Sequence, residues 1–366
     1  MPMRINHNNR SSTKKRTATR AVSFATALAL SASIWVGAMG QASAEAGTSY
    51  KILNQSFVIN GASSSVSVLN SYDTTYVGLR MLSDKLGLKT NWNQAQKTVT
   101  VEGNGRTLVL GIESGAITLN DQTLYGLPPI VDKNTTYLPL RFLLERMGYE
   151  IVYNTSTKGI EISKLAENAF AIGTEKIEYS DAKKKLELVV NYPQLSGLKD
   201  ADVQAKINDY LKQEAETQAA EGKQQLLEAA SDTGEWATEF DGTYTVTYNE
   251  QGLLSLYVDY YIYMGGAHGG TVRVPYTFDL ATGSLLTLKD AAKQNADYVS
   301  IINKAIKAQL KARDLEDGML TPFETIEPDR DFYLNHNGLV IAFGQYEYLP
   351  YAYGIQEFVI PLKSFE

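Results

Sequence analysis

The 366-residue chain contains no cysteine. This excludes disulfides, thiolate metal sites, thiol nucleophiles and a lipidated N-terminal cysteine. A long chain without cross-links must be held by its apolar cores. Histidine is scarce as well, with only His7, His268 and His336 present. Basic residues are outnumbered, 34 against 41 acids, for a net charge of −7. The true imbalance is larger. The first twenty residues hold Arg4, Arg10, Lys14, Lys15, Arg16 and Arg20 and no acid. An apolar run from Ala21 to about Met39 follows, and Ala42-Ser43-Ala44 places small residues where a signal peptidase reads. Residues 1–44 therefore read as a secretory signal peptide cleaved after Ala44. The alternative is an uncleaved anchor, because the run is nearly long enough to span a bilayer. Removing six of the 34 basic residues leaves 28 against 41 acids, or −13. So acidic a chain suits neither nucleic acid nor an anionic membrane surface. There is no second apolar run of spanning length, so no membrane span is expected after cleavage. The remaining length suits two domains.

Residues 50–165 carry an internal repeat. Tyr76-Val77-Gly78-Leu79-Arg80 answers Tyr137-Leu138-Pro139-Leu140-Arg141 at an offset of 61. The same offset takes Leu86-Gly87-Leu88 to Met147-Gly148-Tyr149 and Trp92-Asn93 to Tyr153-Asn154. Agreement at so many points signals duplication. Each copy reads as a strand (Phe57–Ile59, Ile117–Leu119), an Asn-Gly or Asn-Asp turn, and a two-turn helix. Gly87 and Gly148 stand where a helix needs positive φ to end. A strand bearing Trp92 or Tyr153 and a last strand at Thr98–Val101 or Gly159–Ile162 complete the unit. One such unit is marginal alone, so the two copies should share a core.

These motifs resemble the copper amine oxidase N-terminal-like domain of Gram-positive surface proteins, over about 115 residues. The first copy departs from the family at Gly78, where proline is usual. The resemblance implies an accessory stalk, because the oxidases carry copper and quinone in another domain. That domain needs three histidines and an Asn-Tyr-Asp/Glu motif. Here Asn191-Tyr192 is followed by Pro193 and only His268 and His336 remain, so oxidase activity is excluded. Arg80 and Arg141 read as helix-start residues whose stems cover the core and whose guanidinium groups bond local carbonyls, the alternative being ligand contacts.

After residues 166–178, read as a linker, the text changes. Leu186–Pro193 is a strand stopped by proline. Asp200–Ala230 is a long helix, with Gly222 as a possible kink. Gly242–Tyr248 and Leu253–Met264 are strands. In Tyr260–Asp279 two alternating segments flank Gly265-Gly266-Ala267-His268-Gly269-Gly270, a β-hairpin with a glycine-rich tip. A helical stretch runs from Leu288 to Ala312. Strands Asp331–Asn335, Gly338–Gly344 and Glu357–Pro361 close the chain. Residues 179–366 thus read as an α+β domain with a helix-covered antiparallel sheet.

This half resembles the paired domains of unknown function, DUF4163 and DUF3298, of surface polysaccharide deacetylases and anti-sigma factor ectodomains. Tyr192-Pro193-Gln194, the Tyr263–Gly269 tip, Phe278-Asp279-Leu280, Leu286–Asp290 and Gln345–Tyr353 carry the match. In the anti-sigma relatives the ectodomain senses lysozyme, which implies protein binding. Neither their cytoplasmic segment nor the deacetylase domain with its Asp and His metal ligands is read in these residues, so the expectation is a recognition surface.

His268 is the sharpest chemical candidate. As a general base it needs an orienting acid, and Asp259 and Asp279 flank the hairpin rather than its tip. No HExxH-like spacing supports zinc. His336 reads as a turn residue beside Asn337-Gly338. Glu327, Asp329 and Asp331 do not fit an EF-hand loop and read as solvated surface. Tyr346, Tyr348, Tyr351 and Tyr353, around Pro350, read as an adhesive loop, since tyrosine offers contact area and a hydroxyl at little entropic cost, or else as core packing under a long connection. The expectation is a secreted or wall-associated binding protein without cofactor, metal or catalysis. Its surface would comprise Tyr263, Gly265, Gly266, His268, Tyr346, Tyr348, Tyr351 and Tyr353. Its partner would be a protein such as lysozyme or a cell-wall glycan. The alternatives are a wall-polymer hydrolase using His268 with a nearby carboxylate, and a structural spacer.

Overall fold

The computed structural model describes residues 50–71, 74–124, 126–233 and 236–366. The signal-peptide reading of residues 1–44 lies outside them. The first half contains β1 (Ile52–Ile59), β2 (Ala62–Ser71), β3 (Thr74–Gly78), α1 (Leu79–Leu86), β4 (Lys89–Asn93), β5 (Thr98–Gly103) and β6 (Arg106–Gly111). It continues with β7 (Ile117–Leu119), β8 (Gln122–Leu124), β9 (Ile130–Asp132), β10 (Thr135–Pro139), α2 (Leu140–Arg146), β11 (Tyr149–Asn154) and β12 (Gly159–Lys164). Asn60 and Gly61, at φ +48 and +82, make the β1–β2 turn, and Asn120 and Asp121 make that between β7 and β8. Gly87 (φ +68) and Gly148 (φ +81) follow the two helices as expected. What the periodicity did not show is the strands between turn and helix. β2 and β3 precede α1, and β8 to β10 precede α2. β3 pairs antiparallel with β10, so the Tyr76 and Tyr137 segments, 61 positions apart in the sequence, lie side by side. β12 pairs parallel with β1. One cluster, from Phe57 to Ile162 and including Leu82, Leu143 and Leu144, fills the interior. The carbonyl bond anticipated for Arg141 does not form among the described residues. Arg141 pairs with Glu145 one helical turn on, at 2.6 Å.

The second half holds β13 (Ala171–Asp181), β14 (Leu186–Ser196), α3 (Ala201–Thr233), β15 (Thr238–Glu250), β16 (Leu253–Tyr263), β17 (Gly270–Asp279) and β18 (Ser284–Leu285). After these come α4 (Leu288–Ala291), α5 (Tyr298–Ala312), β19 (Tyr333–Asn335), β20 (Gly338–Phe343) and β21 (Gln356–Ile360). Residues 171–178, read as linker, are the first part of β13. Strands β13 to β18 form one sheet in sequence order. The sheet is mixed, not purely antiparallel, because α3 carries the chain from β14 over to a parallel partner, β15. β14 also runs through Pro193 instead of stopping there. β15 pairs only with Leu186–Val190, so the strand around Pro193 has β13 alone as a neighbour and tolerates a residue without an N–H. β19, β20 and β21 form a separate three-stranded sheet.

Helix α3 is continuous. Val203, Ile207, Leu211, Ala215 and Ala219 recur every four residues along its buried stripe. Gly222 does not divide it. A Cβ there would lie 2.6 Å from the Phe240 ring, so the glycine lets helix and sheet approach. The expected single helix from Leu288 to Ala312 is broken, because Lys293 and Gln294 both take positive φ. Thr287 caps α4 in a reciprocal capping box with Asp290. Two large cores result in this half, one under α3 and one between α5 and the three-stranded sheet. Among the described residues no helix is long and apolar enough to cross a membrane.

Candidate functional site

Direct cross-strand pairs place Glu239 opposite Tyr263, Asp241 opposite Tyr261, and Tyr261 opposite Thr271. Period two sends these side chains to the sheet face away from α3, while Phe240, Tyr260 and Ile262 point into the core beneath it. The three-stranded sheet and its loops pack on this outer face. Arg273 fastens them there. It donates Nε and Nη2 to Asp259 at 2.7 and 2.8 Å, pairs with Glu357 of β21, and lies 3.6 Å over the Tyr257 ring. Burial lowers the Arg273 pKa, but the Asp259 hydrogen bonds and neighbouring charges outweigh this and hold it above the ordinary value.

At the hairpin-tip end the outer face stays open. Gly265 and Gly266 have φ of +89 and +104, which admits few other residues. Gly269 has a different reason to be glycine, since its Cβ would lie 2.4 Å from the Tyr261 ring. His268 is exposed. Its ring stacks on Tyr351, with centroids 3.9 Å apart and planes at 19°. Tyr346 adds a second ring 6.5 Å away. The His268 ring nitrogens face the Gly269 carbonyl (2.9 Å) and the Tyr346 hydroxyl (3.5 Å). The hairpin tip and the tyrosine loop, about 80 residues apart, thus form one surface.

Tyr346 is held outward. It is 56% exposed and adopts φ +62, a left-handed conformation costly for a bulky residue. Its neighbour Glu347 anchors the turn by accepting two hydrogen bonds from Arg330 (2.6 and 2.9 Å) and one from the Gly344 N–H (2.7 Å). The Gln345 side chain ties the loop to the Thr271 N–H at 2.8 Å. Tyr353 is also exposed, its hydroxyl over Gly318. Tyr263 is half-buried, and its hydroxyl donates to the Gly266 carbonyl. Tyr348 does not join this surface. It packs on Phe343 at 4.4 Å, edge-on to Phe323, as part of the core. Trp236 escaped the sequence reading, although it is 58% exposed and sits beside Gly265. Its polar surroundings in the sequence gave no sign that β15 begins next to the tip. Glu327 of the acidic loop lies 3.6 Å from Arg330. Among the described residues no cluster of three or more potential ligands could hold a metal.

Glu187, Glu239 and Asp241 form an acidic flank beside these rings. Burial first, and then the charges of Asp241 and Glu187, raise the Glu239 pKa. A carboxyl raised on folding contributes stability that is fully present below its unfolded pKa and is lost as pH rises through the folded value. Glu239→Gln should therefore stabilise the protein near neutral pH and give no gain below the ordinary glutamate range. The gain should be small, about a few tenths of a kcal/mol, because solvent screens this half-exposed group. Urea midpoints at the two pH values check it.

Three family models match the chain. "Copper amine oxidase N-terminal domain" matches residues 58–162 and 125–190, "Deacetylase PdaC" residues 179–271, and "Protein of unknown function (DUF3298)" residues 289–363. Among curated proteins, the anti-sigma-V factor RsiV of Bacillus subtilis (strain 168) is 31% identical over 210 residues, covering 50% of this chain and 66% of that protein. The peptidoglycan-N-acetylmuramic acid deacetylase PdaC of the same strain is 23% identical over 128 residues, covering 35% of this chain and 26% of that protein. The chain spans less than two thirds of the length of either. A DUF3298-family crystal structure from Bacteroides fragilis NCTC 9343 superposes with a TM-score of 0.42 at 20% identity, covering 54% of this chain and 92% of its own. The chain thus matches the copper amine oxidase N-terminal domain family in its first half, and the PdaC and DUF3298 families in its second.

Proposed function

We propose that the protein belongs to the cell envelope and binds a basic protein there, without catalysis, through the corner formed by the hairpin tip and the tyrosine loop. The observation that carries this reading is His268 stacked on Tyr351 at the rim of an exposed aromatic surface. Tyrosine and tryptophan are common anchors of protein interfaces. The acidic flank of Glu187, Glu239 and Asp241 favours a positively charged partner. Lysozyme, which the anti-sigma ectodomains sense, has that charge. The His268 nitrogens face a carbonyl and a phenol, an arrangement suited to contact rather than to the carboxylate-oriented base of a hydrolase. On this reading the duplicated unit of residues 50–165 is a stalk that holds the 179–366 region away from the wall, in a secreted or wall-associated protein.

Calorimetric titration of the chain with lysozyme and with purified peptidoglycan tests the proposal. Saturable lysozyme binding is expected, with no sugar or peptide released. Tyr351→Ala and Trp236→Ala should each weaken it about tenfold or more, and His268→Ala by less. Affinity should fall as salt rises. Binding of peptidoglycan alone, insensitive to salt, would transfer the site to a wall glycan. Failure of the folded protein to bind either would leave the spacer reading.

A further inference from the structure

Away from the tip, a cleft of about 340 Å³ lies between the two halves of the chain. Its frame is rigidly made. Gln122, buried in the first half, donates Nε2 to the Tyr244 carbonyl (2.9 Å) and accepts the Tyr244 N–H (2.7 Å). Its side chain thus continues the sheet in place of a backbone. Asn168 donates to Asn249 and to the Leu253 carbonyl, both at 2.9 Å.

Most charges on the cleft wall are already matched. Glu167 takes two hydrogen bonds from Arg106 at 2.7 and 2.6 Å. Glu145 pairs with Arg141 at 2.6 Å, and Glu357 with Arg273. His336 Nδ1 lies 2.7 Å from Glu250. Arg146 is different. No ion pair forms to it among the described residues. Its Nη1 donates to the Phe142 carbonyl one turn back at 3.1 Å, and its guanidinium lies 4.0 Å from the Phe142 ring centroid. Burial lowers its pKa, and the charges of Tyr257 and Glu145 offset this only in part. A half-buried guanidinium with no ion pair among the described residues, lining a cleft, has a planar fork open to an anion.

The rest of the wall narrows the class. A phosphate would bring up to two negative charges beside Glu150, whose partner is the Ser163 hydroxyl rather than a cation. One carboxylate matches one arginine better. Polar atoms for a hydroxylated ligand line the same cleft. Asn104 spends its Nδ2 on the Met147 carbonyl and keeps its oxygen. Asn335 spends its oxygen on the Asn337 and Gly338 N–H groups and keeps its amide nitrogen. Glu150 accepts hydroxyls.

We propose that this cleft binds a sugar acid, a saccharide with a single carboxylate that pairs with Arg146 while its hydroxyls meet Asn104, Glu150 and Asn335. This site is independent of the aromatic corner. The test is calorimetry of the full chain with two acids, glucuronic acid and N-acetylmuramic acid, against their neutral counterparts, glucose and N-acetylglucosamine. At least one acid should saturate, and its neutral counterpart should bind about tenfold or more weakly. Arg146→Gln, which can still donate to the Phe142 carbonyl, should abolish that difference, whereas Arg146→Lys should keep part of it. Thermal unfolding of each variant controls for folding. Binding of N-acetylmuramic acid alone would point to the wall as the source of the ligand, and binding of both acids to a free sugar acid. No saturation by either acid, equal binding of acids and neutral sugars, or an unchanged preference in Arg146→Gln would each overturn the proposal.

Discussion

Gly338→Ala is expected to destabilise the C-terminal unit by about 3–5 kcal/mol, from steric overlap and backbone strain together. Gly338 closes the β19–β20 turn, pairing with Asn335 across His336 and Asn337. Its φ is +147, and a Cβ would stand 2.1 Å from the Ile360 carbonyl oxygen and 2.9 Å from Pro361 Cα. Those are backbone atoms at the end of β21, so no rotamer change relieves the overlap. The turn would have to move off β21, beside the core that holds Leu339, Phe343 and Phe358. Gly252→Ala is the control. Gly252 also has positive φ, +76, but nothing stands within 4 Å of its missing Cβ, so only about 1 kcal/mol of stability is lost, to backbone strain. Urea denaturation of the two variants should give clearly different midpoints. Equal midpoints would show that the close approach to Ile360 is not present.

Arg273→Gln should cost about 2–3 kcal/mol, toward the low end for a broken buried ion pair, because Asp259 and Glu357 keep 25% and 43% side-chain exposure. The loss arises less from missing attraction than from carboxylates left beside Tyr257 and Tyr333. Burial raises the pKa of both phenols, so they stay neutral and supply no positive charge in place of the arginine. Asp259→Asn in the Arg273→Gln background should recover part of the stability, a non-additivity that identifies the pair. A second readout follows from position. Arg273 joins β17 to β21, and the loop bearing Tyr346 and Tyr351 precedes β21. Releasing that joint should weaken partner binding as well as stability. Loss of stability with affinity unchanged would show that the Gln345–Thr271 and Glu347–Arg330 bonds keep the loop in place without Arg273.

Much of the local structure was legible in the residues. Gly87 and Gly148 mark helix ends because only a residue without a side chain reaches positive φ cheaply. The alternation on both sides of Gly265–Gly270 gave the hairpin, and the resemblance to known families is matched by the family models of both halves. What escaped depended on neighbours distant in sequence. Pro193 looked like a strand end, yet it is tolerated because β15 stops pairing at Val190. Gly222 looked like a helix break, yet it answers to the Phe240 ring. Tyr346, Tyr348, Tyr351 and Tyr353 formed one stretch on paper. Packing against Phe343 took Tyr348 out of it, and His268, expected on the same surface, stacks on Tyr351.

The sequence by itself determined the supply: no thiol, two histidines in the described part of the chain, an excess of acid, two similar units and a store of tyrosine. Those are properties of composition and short-range period, which need no third dimension. The tertiary structure alone decided the partnerships. Which tyrosine faces solvent, which arginines of the cleft pair with a carboxylate and which strand of the first half adjoins the second half all depend on contacts between residues far apart in the chain. Such contacts are fixed by the packing of whole sheets and helices, and no window of sequence contains both members of the pair.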